Sequence, residues 1–230
     1  MAKAAWLLNR AVASGVTYTV LGAMRRCWLT LQPRRQAADR FFTRAVEILE
    51  SAELQPAGGL GYPRLVGRYQ GLPVQVHPVI DTLAARRLPA LWLLVTVQDN
   101  LPVTARFDLM MRPNAATTFS NFDLLPATVE LPPGFPEEAV LRTDDPQHLL
   151  PPRLVSSHLD LFKDARAKEL LITPNGVRFV WLLAEANRAR YAALRDADFG
   201  EIDLDPDILR NLLDRLVSLR RAIVDAAYLR

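Results

Sequence analysis

Hydrophobic positions in this chain recur at changing periods, and the changes of period mark its elements. Ala11 to Met24 is a nearly continuous apolar stretch, followed by Pro33 as a helix stop. Arg34 to Leu54 then carries Phe41, Phe42, Ala45, Val46, Leu49 and Ala52 at three- and four-residue steps. That spacing predicts a second helix with one buried face. Residues 56–63 hold two prolines and three glycines and break the pattern, as a linker would.

Beyond the linker the period falls to two, which predicts strands. Arg64–Tyr69 and Pro73–Ile80 flank Gln70-Gly71-Leu72 as a hairpin. Ala90–Gln98 and Val103–Met111 form an expected second pair, joined through residues 99–102. Leu91 to Val97 is apolar on both faces, the mark of a central strand covered on both sides. Residues 112–153 are rich in proline and turns, with short extended pieces at 127–131 and 139–142. Glu169–Thr173 and Val177–Leu183 flank Pro174-Asn175-Gly176 as a third hairpin, because Asn-Gly supplies positive φ at low cost.

Helical spacing returns at the end. Asp205 caps, Pro206 opens the first turn, and Leu209, Leu212, Leu216, Leu219 and Ile223 form a stripe widened by Leu213, Val217 and Val224. A broad apolar face suits a helix docked on its own sheet, whereas a two-stranded coiled coil keeps its seam narrow. Docking is the preferred reading, with a homodimer through this helix as the alternative. The predicted fold class is therefore α+β: N-terminal helices, then a mainly antiparallel sheet or roll closed by a long C-terminal helix. Its expected organisation is a helical segment 1–55, a linker 56–63 and an α+β domain 64–230.

Charge changes this picture at the N-terminus. Residues 1–38 contain no Asp or Glu, while residues 1–40 hold seven basic side chains against Asp39, a balance of +6. The whole chain carries +3, which leaves −3 for residues 41–230. Lys3, Arg10, Arg25, Arg26, Arg34 and Arg35, interleaved with Trp6 and Trp28, are the residues expected to meet an anionic membrane surface or a membrane complex. Only 14 uncharged residues separate Arg10 from Arg25, fewer than the roughly 20 a spanning helix needs, so the segment is read as interfacial. Its lack of acids also resembles a transit peptide. A nucleic-acid reader spreads basic charge over its folded part, and here that part is mildly acidic, so no nucleic acid is expected.

Candidate chemistry adds little. Cys27 is the only cysteine, which excludes an internal disulfide or a cysteine zinc cluster and fits a reducing, cytoplasmic setting peripheral to the inner face of a membrane. Asp144, Asp145, His148, His158 and Asp160 are the residue types a metal or hydrolytic site uses, yet they match no known ligand spacing. Ser156 and Ser157 read more simply as caps of a short helix through Leu159–Asp164, or as surface serines. Gly58-Gly59-Leu60-Gly61 lacks the lysine of a phosphate loop. The acids Asp196, Asp198, Glu201, Asp203, Asp205 and Asp207 are out of register for a calcium loop.

No catalytic residue, metal or cofactor is assigned. Nine aromatics (Tyr62, Tyr69, Trp92, Phe107, Phe119, Phe122, Phe135, Phe179 and Trp181) could line a ligand pocket between sheet and helix. The leading functional expectation is a non-enzymatic accessory or adaptor protein with a membrane contact and a protein partner. The alternatives are a small hydrophobic-ligand (lipid) binder, or an enzyme built on His148, His158 and the nearby aspartates.

Overall fold

The computed structural model describes residues 40–57, 61–83, 87–113, 116–195 and 197–228. It is an α+β structure: one nine-stranded antiparallel sheet with a long C-terminal helix across one face. The strands are β1 (Glu50–Gln55), β2 (Arg64–Tyr69), β3 (Leu72–Asp81), β4 (Ala90–Gln98), β5 (Phe107–Met111), β6 (Ala127–Val129), β7 (Ala139–Thr143), β8 (Ala167–Thr173) and β9 (Gly176–Glu185). Their spatial order is β1-β2-β3-β4-β9-β8-β5-β7-β6. Two helices follow: α1 (Arg188–Leu194), capped by Asn187, which accepts the Arg190 N–H at 3.0 Å, and α2 (Pro206–Tyr228). The expected N-terminal helical region before Pro33 lies outside the described residues.

The first and third predicted hairpins are present. β2 and β3 meet through Gln70 and Gly71, both at positive φ, and β8 and β9 through Pro174 and Asn175. The second expected pair is corrected: β4 and β5 are not neighbours. The β8–β9 hairpin inserts between them, pairing β9 with β4 and β8 with β5. The backbone donors after β4 are taken by the hairpin turn, since Asp99 N–H donates to Asn175 O (3.2 Å) and Leu101 N–H to Pro174 O (2.9 Å). The insertion depends on Gly176, at φ 136°, where a Cβ would stand 2.2 Å from Val97 O.

A second correction concerns Arg34–Leu54. Within it, the described residues form a turn from Arg40 and a 3₁₀ turn at Val46–Ile48, and then enter β1. Phe41, Phe42, Ala45 and Leu49 are buried, so the helical-looking spacing marks a real apolar face. From Glu50 onward, backbone pairing with β2 overrides local propensity. Residues 56–63 thus connect two neighbouring strands of one sheet.

α2 begins as its sequence implies: Asp205 Oδ1 accepts the Asp207 N–H at 2.9 Å. Leu209, Leu212, Leu216, Leu219 and Ile223, with Leu213 and Val217, are buried against β4 and β9. The main core joins this stripe to Leu65, Val76, Leu93, Val95, Phe179, Leu170 and Leu109 of the sheet, and to Phe41 and Phe42. A smaller cluster on the opposite face, Leu94, Met110, Val180, Phe119 and Phe122, is roofed by residues 116–125. β4 is therefore covered on both sides. Among the described residues, no helix is long and apolar enough to cross a membrane.

Candidate functional site on the sheet face opposite the helix

Side chains alternate between the two faces of a strand, so the neighbours in sequence of the helix-side core point away from the helix. Arg64 precedes Leu65, Trp92 lies between Leu91 and Leu93, Asp108 between Phe107 and Leu109, and Arg178 between Val177 and Phe179. Those four residues contribute all the buried side-chain polar atoms without a hydrogen-bond partner among the described residues: Arg64 Nε, Trp92 Nε1, Asp108 Oδ1 and Arg178 Nε. Buried polar atoms are almost always satisfied, by protein, water or ligand. Such atoms collected on one face make that face the candidate site.

Its centre is acidic. Asp108 is paired across the strands with Leu171 and Arg142, and Glu169, fully buried, with Met110 and Val180. Glu169 Oε2 accepts from Arg178 Nη2 at 3.0 Å, and its Oε1 accepts from the Ser120 hydroxyl. Burial, then the negative charge of Glu169 and a hydrogen bond to it, push the Asp108 carboxyl up to about 9, against the opposing pull of Arg178 and Arg106. Ser120 Oγ also accepts the Phe122 N–H at 3.1 Å, and Arg142 donates to Phe122 O at 3.2 Å with its guanidinium over the Phe122 ring. The acid pair therefore holds the 116–125 loop down. Beside it Lys168, 8% exposed, donates to Met111 O and Arg112 O, and burial lowers its amine to about 8.

At the edge near β1, where β3 runs on past the start of β2, a groove of about 620 Å³ opens, lined in part by Gln55, Tyr62, Arg64, His77, Val79 and Ile80. Arg64 and His77 come opposite each other one step beyond the pair Leu65–Val76. Burial lowers the His77 pKa and the Arg64 charge lowers it further. No Asp or Glu is among the described residues lining this groove.

Lys3, Trp6, Arg10, Arg25, Arg26, Trp28, Arg34 and Arg35 lie outside the described residues. His148 is exposed, with Nδ1 2.6 Å from Asp145 Oδ2, a bond that holds the Asp145 carboxyl below its ordinary range. Asp144 accepts the Arg106 N–H at 2.8 Å, and Asp160 pairs with Arg215 of α2. Among the described residues, no group of three His, Cys, Asp or Glu is gathered for a metal.

Ser156 and Ser157 do not cap: the 3₁₀ segment Ser156–Lys163 starts from Val155 without a side-chain cap. The late acids are engaged singly, Asp198 with Arg190 and the Gly200 N–H, Asp203 with Arg44, and Asp207 with Arg210. The aromatics line no common pocket. Phe107, Phe179 and Trp181 belong to the helix-side core, while Trp92, Phe119 and Phe122 lie on the opposite face. Strand alternation, which separates Trp92 from Trp181, is the physical reason.

No protein-family model matches this chain, and no curated protein matches it. Among solved structures, the crystal structure of the mycobacterial trehalose monomycolate transport factor A, TtfA, aligns with 83% of this chain and 94% of its own, at 9% identity and a TM-score of 0.45. A likeness that distant assigns neither fold nor function.

Proposed function

We propose that this protein is a non-enzymatic accessory or adaptor that works at an anionic membrane surface or on a membrane complex. Its basic N-terminal segment makes the surface contact, and the sheet-and-helix body holds a protein partner. The observation that supports this reading is the partition of charge: +6 within residues 1–40 against −3 for all the rest. Each basic side chain near an anionic bilayer adds about 1 kcal/mol, so five or six suffice for salt-sensitive peripheral binding.

Vesicle co-sedimentation tests it. Full-length protein should pellet with phosphatidylglycerol-containing vesicles at low salt and stay in solution with phosphatidylcholine alone. The variant with Arg10, Arg25, Arg26, Arg34 and Arg35 replaced by Gln should lose the association. Equal pelleting of that variant refutes the reading.

A second reading, binding of a small hydrophobic ligand, draws on the groove beside Arg64 and His77. The space beneath residues 209–226 is filled by Leu209, Leu213, Leu216 and Leu219, each 0% exposed. On this reading the ligand takes the groove at the β1–β3 edge and not the space under the helix.

A further inference from the structure

The groove at the β1–β3 edge joins two chemistries. One end carries Arg64, whose Nε is buried without a hydrogen-bond partner and which makes no ion pair among the described residues. Next to it stands His77, half-buried and held below the ordinary imidazole range, hence neutral at pH 7 and able to offer one ring N–H. The remaining wall is largely apolar: Pro56, Ala57, Pro78, Val79 and Ile80. A half-buried guanidinium that pairs with no carboxylate among the described residues is electrostatically incomplete, and the partner it lacks is an anion.

From this arrangement we infer that the groove is a binding site for a single-chain amphiphile with a carboxylate head, a fatty-acid-like molecule. The head lies against Arg64 and His77, and the tail runs along the edge of β3 that extends past β2, at residues 78–80, toward Pro56 and Ala57. This deepens the ligand-binding reading above by naming the ligand's class and its anchor. A carboxylate matches the planar guanidinium fork and carries the single charge that one arginine neutralises, whereas a phosphate dianion asks for more cationic partners than this wall supplies. The volume, about 620 Å³, falls within the range of small-molecule sites and leaves room for a tail beyond the head.

Calorimetric titration of the purified full chain with decanoate, below its micellar concentration, tests the assignment beside 1-decanol and inorganic phosphate. Decanoate should bind one equivalent, at least about tenfold tighter than decanol, with no saturable binding of phosphate. Arg64→Gln should weaken decanoate about tenfold or more, an effect of about 1.4 kcal/mol, and leave decanol unchanged. Arg64→Lys should recover only part of the loss, because an ammonium lacks the fork, and Arg153→Gln, on a distant exposed turn, should have no effect.

Equal binding of decanoate by wild type and Arg64→Gln, or equal affinity for decanoate and decanol in the wild type, overturns the carboxylate anchor while leaving a hydrophobic-ligand binder standing. Saturable binding of phosphate alone identifies the site as a plain anion site and overturns the amphiphile. Absence of binding by both decanoate and decanol removes the inference and the ligand-binding reading together.

Discussion

Asp108 shares a buried sheet face with Glu169, and burial, then the negative charge of that neighbour, push its carboxyl up to about 9, so it stays protonated through neutral pH. An acid whose pKa is raised on folding binds a proton that the unfolded chain releases. Its contribution to stability therefore declines as pH rises from about 4 toward about 9. Other groups act oppositely. Lys168, lowered to about 8, and His77 and His158, both lowered, make stability rise with pH across their own windows.

Asp108→Asn isolates the acid term, because the amide mimics the protonated carboxyl and the other groups cancel in the comparison. Chemical denaturation of both proteins from pH 5 to pH 8 should show the variant gaining on wild type by up to about 1.4 kcal/mol per pH unit. Parallel pH profiles would refute the raised Asp108 acid.

Ser120 ties the 116–125 loop to Glu169, so Ser120→Ala leaves a buried carboxylate oxygen without its donor. A cost of about 1–3 kcal/mol is expected. Limited proteolysis should then cut within residues 116–125 before any other site, whereas an unchanged digestion pattern would show that Phe119 and Phe122 hold the loop by packing alone.

Gly176 lets the β8–β9 hairpin enter between β4 and β5. Gly176→Ala must relieve both a φ of 136° and a 2.2 Å approach to Val97 O, and is expected to cost about 3–5 kcal/mol. Gly71→Ala, at φ 78° with open space around it, should cost only about 1–2 kcal/mol. Urea unfolding of the two variants checks the ranking, and equal costs would contradict the close-approach argument.

The stripe of α2 is buried by the chain's own sheet. Leu216→Ala is expected to cost about 2–5 kcal/mol, while Tyr228→Ser, at an 86% exposed position, should stay within about 0.5 kcal/mol. Melting temperatures measured over a hundredfold range of protein concentration should coincide. A concentration-dependent midpoint would instead favour the helix-mediated homodimer.

Much of the fold was legible because its signals are local. The β2–β3 hairpin is legible at Gln70-Gly71-Leu72, but only the structure shows that Leu72 pairs with Tyr69, which sets Arg64 opposite His77. Asp205 and Pro206 announce α2, and its leucine stripe announces the buried face. Even Phe41, Phe42, Ala45 and Leu49 were correctly marked as apolar anchors, although their helical spacing concealed a turn and the start of β1. The acid pair had no such signal. Asp108 and Glu169 are 61 positions apart in sequence, the first a lone charge in an apolar strand and the second next to Lys168, with nothing local to pair them.

The sequence by itself determined most of the extended segments from Arg64 onward, the hairpin turns, that the last helix buries one broad side, and that positive charge gathers at the N-terminus. These follow from side-chain period, turn chemistry and composition, which act over a few residues. Only the tertiary structure decided that β8 and β9 separate β4 from β5, that Arg64, Trp92, Asp108 and Arg178 share one face, and that a groove opens beside two of its basic groups. Strand order is chosen by long-range backbone pairing, here by the loop after β4 bonding to the Pro174–Asn175 turn, and no local pattern encodes which edge a hairpin will join.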